Sequence, residues 1–426
     1  MLPGRRTREG HRATAFELFF DLIYVFAMTQ VTSSVVRGHS ASGVLQALIV
    51  LALLWWTWVG FAWLGNQAYG GSLRLGGVAA MAAVFVVALA VPEAWHDREG
   101  GLDGPLLFVA AYVLVRVIHM ILSMRVSAGD PEMRRQTFLT WVPVLTGGAL
   151  LVVGAVLGGS AQVVLFVAAV VVDWLGIFLV ARRGHWQVRS VAHFAERHGL
   201  FVILALGESI AAIGIGAAQA PLSVRAVVGA VLGMGIALAL WWLYFDLLAR
   251  GGERRLAERD GVERARLALR VYSYGHFPIV AGIIAGAAGL EAAMATDLTG
   301  AQLGLFAAAL LLGGAALVLL GQVLVMWLLS RHVSLERTVA ALLLLVAVPL
   351  AVPAPALVGP VLVLVVLLLL VASDAIRFAE KRRAYARAER ELDDASDADV
   401  ADLQADGSQP TSPGREPGGE DNLTHR

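Results

Sequence analysis

Carboxylates, histidines and one arginine sit inside stretches of this sequence that are otherwise apolar. Glu17 and Asp21 are four residues apart, so a helix presents both on one face, which Tyr24 and Met28 continue. Asp173 and Glu208 each fall near the middle of an apolar run. Arg116 and His119 share a run at a spacing of three, and His276 precedes Phe277-Pro278 in another. Asp21, Glu208, His276, Asp173 and Glu17 are the candidate substrate- or ion-binding groups. Their chemistry would be proton exchange or cation binding. Three deep carboxylates face one deep arginine. At least one acid therefore lacks a permanent cation, unless a histidine supplies it.

Each group also has a purely structural role open to it. Arg116 can pair with Asp173 or Glu208 as internal glue, and His119 can be a hydrogen-bonded core histidine. Glu17 can complement the positive N-terminal end of its helix. Gly207, Gly214 and Gly216, around Glu208, suit close helix packing or a local break. Pro278 removes one backbone hydrogen bond and can kink its helix, freeing a carbonyl near His276. Tyr272 and Tyr274 also suit interfacial anchors. Trp55, Trp56, Trp241 and Trp242 suit belt or packing positions.

The elements that position these groups are membrane spans. Hydrophobic residues make up 58% of the chain and charged residues 15%, and mean hydropathy is +0.72. A soluble fold could not bury that much apolar surface. Twelve runs are predicted to span: 16–36, 44–64, 74–92, 105–124, 137–157, 161–181, 198–219, 223–249, 270–293, 303–330, 336–352 and 355–373. A span needs ~20 residues to cross the hydrocarbon. The runs are too long for strands and lack period-two alternation.

Basic residues fill every second gap. Twenty-seven lie on one side, and only Arg37, Arg98 and Arg225 on the other. The positive-inside rule then puts both termini in the cytoplasm. The expected fold is an all-α, polytopic transmembrane helix bundle of about twelve helices in the cell (inner) membrane. Residues 1–15 form a basic N-terminus, 16–181 a first six-helix half, 182–197 a basic loop and 198–373 a second half. Residues 374–426 form a cytoplasmic tail, acidic and disordered from about 391. No cleaved signal peptide is read, because the first run holds Glu17 and Asp21.

Topology explains the basic loops, so no nucleic-acid partner is expected. The partners are the bilayer and a small solute, proton or cation. The chain has no cysteine, which excludes disulfides, thiolate metal sites and cysteine catalysis. No metal cluster or cofactor motif is read.

The halves resemble each other. Trp55-Trp56-Thr57-Trp58 falls on Trp241-Trp242-Leu243-Tyr244, and Leu18-Phe19 on Leu200-Phe201. Pro92-Glu93-Ala94 falls on Leu290-Glu291-Ala292 at an offset of 198, the offset that also places Leu107-Phe108 on Leu305-Phe306. Six spans per half give a parallel 6+6 repeat. Secondary transporters use that arrangement, with sites near the midplane between halves.

Four ordered segments carry a resemblance to a known family: FELFFDLIYVFAMTQVTS (Phe16 to Ser33), HFAERHGLFVILALGESI (His193 to Ile210), WWLYFD (Trp241 to Asp246) and YSYGHFPIVAGIIAGAAGLE (Tyr272 to Glu291). Together they resemble the bacterial low-temperature-requirement protein A family, over roughly residues 16–375. The resemblance implies a polytopic membrane protein and highlights Glu17, Asp21, His193, Glu196, Arg197, Glu208 and His276. It implies no reaction. His193, Glu196 and Arg197, at the cytoplasmic mouth of the seventh span, would form a gate network or cap the helix.

Three functions compete. The first is a secondary transporter or an ion- or proton-coupled permease, with Asp21 and Glu208 binding the ion and His276 tuning it. The second is an intramembrane enzyme acting on lipid or a lipid-linked substrate. The third is a sensor or structural factor for cold membranes. No P-loop is present to use ATP. Gly207-Glu208-Ser209 is not a nucleophile elbow, and His193 and Glu196 do not form H-E-x-x-H. Transport ranks above catalysis.

Overall fold

The computed structural model describes residues 5–6, 12–70, 72–184, 186–217, 223–295, 300–377 and 379. The acidic tail from 391 lies outside the described residues. The first half runs α1 (Ala15–Gly38), α2 (Ala41–Gln67), α3 (Ser72–Ala90), α4 (Gly104–Val126), α5 (Pro131–Leu139), α6 (Trp141–Leu157) and α7 (Gly159–Arg183). The second half runs α8 (Val191–Ala217), α9 (Val224–Tyr244), α10 (Arg250–Ala257), α11 (Gly261–Ala268), α12 (Phe277–Met294), α13 (Gly304–Ser330), α14 (Leu335–Ala351) and α15 (Val358–Arg377). A two-residue antiparallel pairing joins Arg5–Arg6 to Ala68–Tyr69.

Eleven helical stretches among the described residues are long and apolar enough to cross a membrane, α5 and α6 counting as one. The remaining predicted run is α14, helical over 17 residues with Pro349 inside it. Local sequence sets the starts. Thr14, Ser40, Asp103, Ser223 and Ser334 each accept a backbone N–H at a helix N-terminus. Side chains such as Leu18, Leu75, Val142 and Val346 point outward and exposed. A bilayer turns that surface from a liability into the expected exterior.

Packing follows chain order. In the first half α1 contacts α2 and α3, α3 contacts α4, and α4 contacts α6. In the second half α8 contacts α9 and α12, α12 contacts α13, and α13 contacts α14. The halves meet where α1 and α2 pack on α8 and α12. Backbones approach closely at α12–α13, where a Cβ on Gly282 would lie 2.6 Å from the Gly314 carbonyl oxygen. Residues to Val371 form one unit. Of the second unit, the described part is chiefly the last turn of α15.

Two predicted spans are not simple helices. The eighth passes through a π-helical turn at Phe245–Ala249 into α10. The ninth begins as α11, unwinds through a π-helical segment at Leu269–Tyr274 and restarts as α12 with Pro278 in its first turn. The basic stretch between them is therefore largely helical. Ion pairs such as Arg255–Glu258 (3.1 Å) and Arg264–Asp260 (2.9 Å) lie along it. The seventh span starts seven residues early, because α8 begins at Val191 rather than near residue 198. That shift puts Arg197 inside a helix. It also places Glu208 seventeen residues along α8, past the middle and away from the basic end.

Candidate functional site

The polar side chains of the bundle gather into separate groups, two of them on the seam between α1 and α8. Thr14 caps α1, and Glu17 closes the capping box by accepting the Thr14 N–H at 3.0 Å. The other oxygen of Glu17 faces α8. There His193 Nε2 lies at 2.9 Å and Arg197 Nη1 at 3.1 Å from Glu17 Oε1. Asn66 Oδ1 accepts the Arg189 N–H at 2.8 Å, which turns the Asn66 amide nitrogen toward His193 Nδ1 at 3.3 Å. An N–H aimed at Nδ1 leaves Nε2 as the nitrogen that donates to Glu17.

One turn deeper, Asp21 is completely buried. Its Oδ1 accepts from Arg197 Nη2 and from Trp58 Nε1, both at 2.7 Å. Its Oδ2 is buried without a partner. One guanidinium thus serves two carboxylates, and its plane lies over the Trp58 ring at 5.8 Å. Glu196 points elsewhere and accepts the Ala13 N–H at 2.8 Å. Of the three gate candidates, His193 and Arg197 join α1 to α8, and Glu196 ties down the chain before α1.

A cavity of about 660 Å3 opens beside this network between α1, α2, α3 and α4. Phe16, Phe20, Phe61 and Leu73 line it, with Glu17 and Arg197 at its polar end. Gly65 makes the approach possible, since a Cβ there would stand 2.5 Å from Glu17 Oε1.

Eleven residues beyond Arg197, close to three full turns, Glu208 returns to the same face of α8, about 16 Å farther along the axis. It is 1% exposed. Thr29 of α1 donates to its Oε2 at 2.5 Å, while Oε1 is buried and unpartnered. No cation pairs with Glu208 among the described residues. Its charged neighbour is a second acid, Glu291 of α12, whose Oε2 is also buried and unpartnered.

The remaining candidates lie elsewhere. Arg116 donates to Asp173 at 2.8 Å, both nearly buried, so of the two partners offered by the sequence it takes Asp173. His119 lies against Gly60 and lines a cavity of about 800 Å3 with Trp56, Trp63 and Trp186. His276 Nδ1 donates to the Val271 carbonyl at 2.8 Å, and Tyr244 OH donates to Nε2 at 2.8 Å. The helix break before Pro278 does free a carbonyl for His276, and that bond occupies the ring. His198 packs beside it, ring centroids 5.7 Å apart, with Nε2 unpartnered.

Several expectations change. Asp21 is not an acid short of a cation, because Arg197 is buried in α8 rather than placed in a loop. Arg337 is likewise buried and donates to Gln322 at 2.9 Å. Of the two roles open to the tryptophan pairs, Trp55 and Trp56 take packing, as does Trp58, and Trp55 donates to the Ser273 carbonyl at 2.8 Å, whereas Trp241 and Trp242 face outward. Tyr272 is buried, not interfacial. Gly207 and Gly214 have no neighbour within 4 Å of a Cβ position, and α8 runs unbroken through them, so neither close packing nor a break accounts for them. Residues that sequence reasoning did not single out as site members are Trp58, Asn66, His198, Thr29 and Glu291. His198 and Glu291 stood in the segments already quoted, and the signal for both was an ionisable residue in an apolar run.

The family description "Bacterial low temperature requirement A protein (LtrA)" matches residues 12–372, and the chain belongs to this family. An uncharacterized protein of Rhizobium meliloti (strain 1021) is 30% identical over 328 residues, covering 73% of this chain and 76% of its own length. No solved structure matches.

Proposed function

We propose that this integral membrane protein is a proton- or cation-coupled permease. Glu208 exchanges the coupling ion, and the Glu17–Asp21–His193–Arg197 network is the gate toward the basic end. The observation that carries the reading is Glu208 itself. It is a buried carboxylate with an empty-handed oxygen and no cation among the described residues, placed where α1 of one half meets α8 and α12 of the other. Such groups mark ion pathways in membranes. The first five spans of each half pack in the same neighbour order, which supports the parallel 6+6 repeat, while the α6–α7 pairing has no counterpart between α14 and α15 among the described residues; rocking about the α1–α8 seam would expose Glu208 to each side in turn. The lopsided distribution of arginines supports cytoplasmic termini in the cell membrane.

The absence of cysteine makes an accessibility test direct. Ala205 and Ala212 flank Glu208 on α8, and both are buried. Single Ala205→Cys and Ala212→Cys proteins in liposomes are exposed to an impermeant maleimide from either side. Alternating access predicts labelling of Ala205→Cys from the basic side and of Ala212→Cys from the opposite side, with pH or cation shifting the balance. Protection of both from both sides in all conditions, in folded protein, would remove the aqueous route the permease requires.

A further inference from the structure

At the basic end of α10, α11 and α13, on the outer surface of the bundle, an open cavity of about 890 Å3 is lined by Arg255, Arg259, Arg266, Arg270 and Arg331, with Glu263 as its one lining carboxylate. The spacing explains the convergence. Arg266 and Arg270 are one turn apart as α11 passes into its π-helical segment. Arg331 ends α13 in the left-handed region, φ 58°. Arg255 pairs with Glu258 at 3.1 Å and Arg259 with Glu263 at 3.4 Å. Arg266, Arg270 and Arg331 have no carboxylate partner among the described residues.

The depth of the site is marked by Trp327. Its ring is 40% exposed on the bundle surface, and the Arg331 guanidinium lies 4.6 Å from its centroid. Exposed tryptophans of this kind sit at the headgroup level. Leu328 and Leu329 continue the lining on the apolar side. Arg266 donates to the Arg182 carbonyl at 2.8 Å, so the cavity sets the guanidinium groups of Arg270 and Arg331, without a carboxylate partner among the described residues, above an apolar wall at the level where phosphates lie. Guanidinium pairs with phosphate oxygens through charge-assisted, often bidentate hydrogen bonds.

We infer that this cavity binds the phosphate headgroup of an anionic phospholipid, with the acyl chains running along Leu328, Leu329 and Trp327. The site is separate from Glu208 and does not depend on the permease reading.

The test is native mass spectrometry of the full chain in detergent, titrated with phosphatidylglycerol, cardiolipin or phosphatidylcholine, with inorganic phosphate as the free-anion arm. Arg270→Gln is compared with Arg331→Asn, which removes the charge but keeps a residue tolerant of the left-handed backbone. Arg134→Gln with Arg135→Gln, exposed on α5 at the same end, is the control. The expected result is retention of anionic lipid by wild type and control, with affinity about fivefold weaker for each cavity arginine removed. Equal weakening in the control, equal retention of phosphatidylcholine, or saturation by inorganic phosphate alone would each overturn the inference. Should Arg270→Gln fail to fold, Arg331→Asn alone decides, since its side chain is exposed at a helix end.

Discussion

Arg197 of α8 reaches across to Asp21 of α1 at 2.7 Å, and its second terminal nitrogen lies 3.1 Å from Glu17 one turn away. One guanidinium therefore fastens two carboxylates of one half to a helix of the other. Both Arg197 and Asp21 are essentially buried, so Asp21 left without Arg197 has no water to turn to, whereas Arg197 left without Asp21 keeps Glu17.

Breaking that pair from the arginine side is expected to cost about 3–5 kcal/mol. Arg197→Gln, which leaves Asp21 without its cation, should lower denaturant stability in mixed micelles by that order; Asp21→Asn, which leaves Arg197 its Glu17 partner, should cost clearly less, and the double variant less than the sum. Additive losses would mean that the two residues act independently.

Gly65→Ala tests the same network without touching a charge. A Cβ there meets Glu17 Oε1 at 2.5 Å, and that oxygen is held by His193 and Arg197, so it cannot simply swing aside. A loss of about 1–3 kcal/mol is expected. The loss should largely vanish in a Glu17→Ala background, where the clash is gone. A persistent loss would place the strain in the helix backbone instead.

Glu253, on α10 outside the spans, gives a pH dependence. Partial burial pushes its carboxyl above the ordinary 4.5; Arg12 opposes the shift and Glu196 adds to it. A carboxyl that holds its proton more tightly in the folded than in the unfolded chain favours folding at low pH. That contribution is lost as pH rises from about 4.5 through the raised value. Melting temperature followed from pH 4 upward should fall less steeply in Glu253→Gln than in wild type. Parallel curves would show that Glu253 carries none of the slope.

Much of the bundle was legible in the sequence because apolar length responds to the bilayer itself. The failures came where partners from other helices decide. Arg197 read as a loop cation because hydropathy alone started the seventh span too late, and it took Asp21 and Trp58 to make its burial tolerable. The ninth span read as continuous because Pro278 signals a break without saying how far back the helix unwinds. The π-helical segment at Leu269–Tyr274 depends on the Val271 and Ser273 carbonyls finding His276 and Trp55. Glu208 stood out as an unmatched charge. That it meets Thr29 and a second acid, Glu291, rests on helix pairing that no single segment encodes.

The most direct test of the account is charge displacement by proteoliposomes on a solid-supported membrane. Wild type is compared with Glu208→Gln under steps of pH, Na⁺ and K⁺. Exchange of a proton or cation at Glu208 predicts a current in wild type for at least one of these steps and its loss in the variant, with both proteins folded. Currents of equal size in the two proteins, or silence in both, would contradict the assignment of Glu208 as the coupling site.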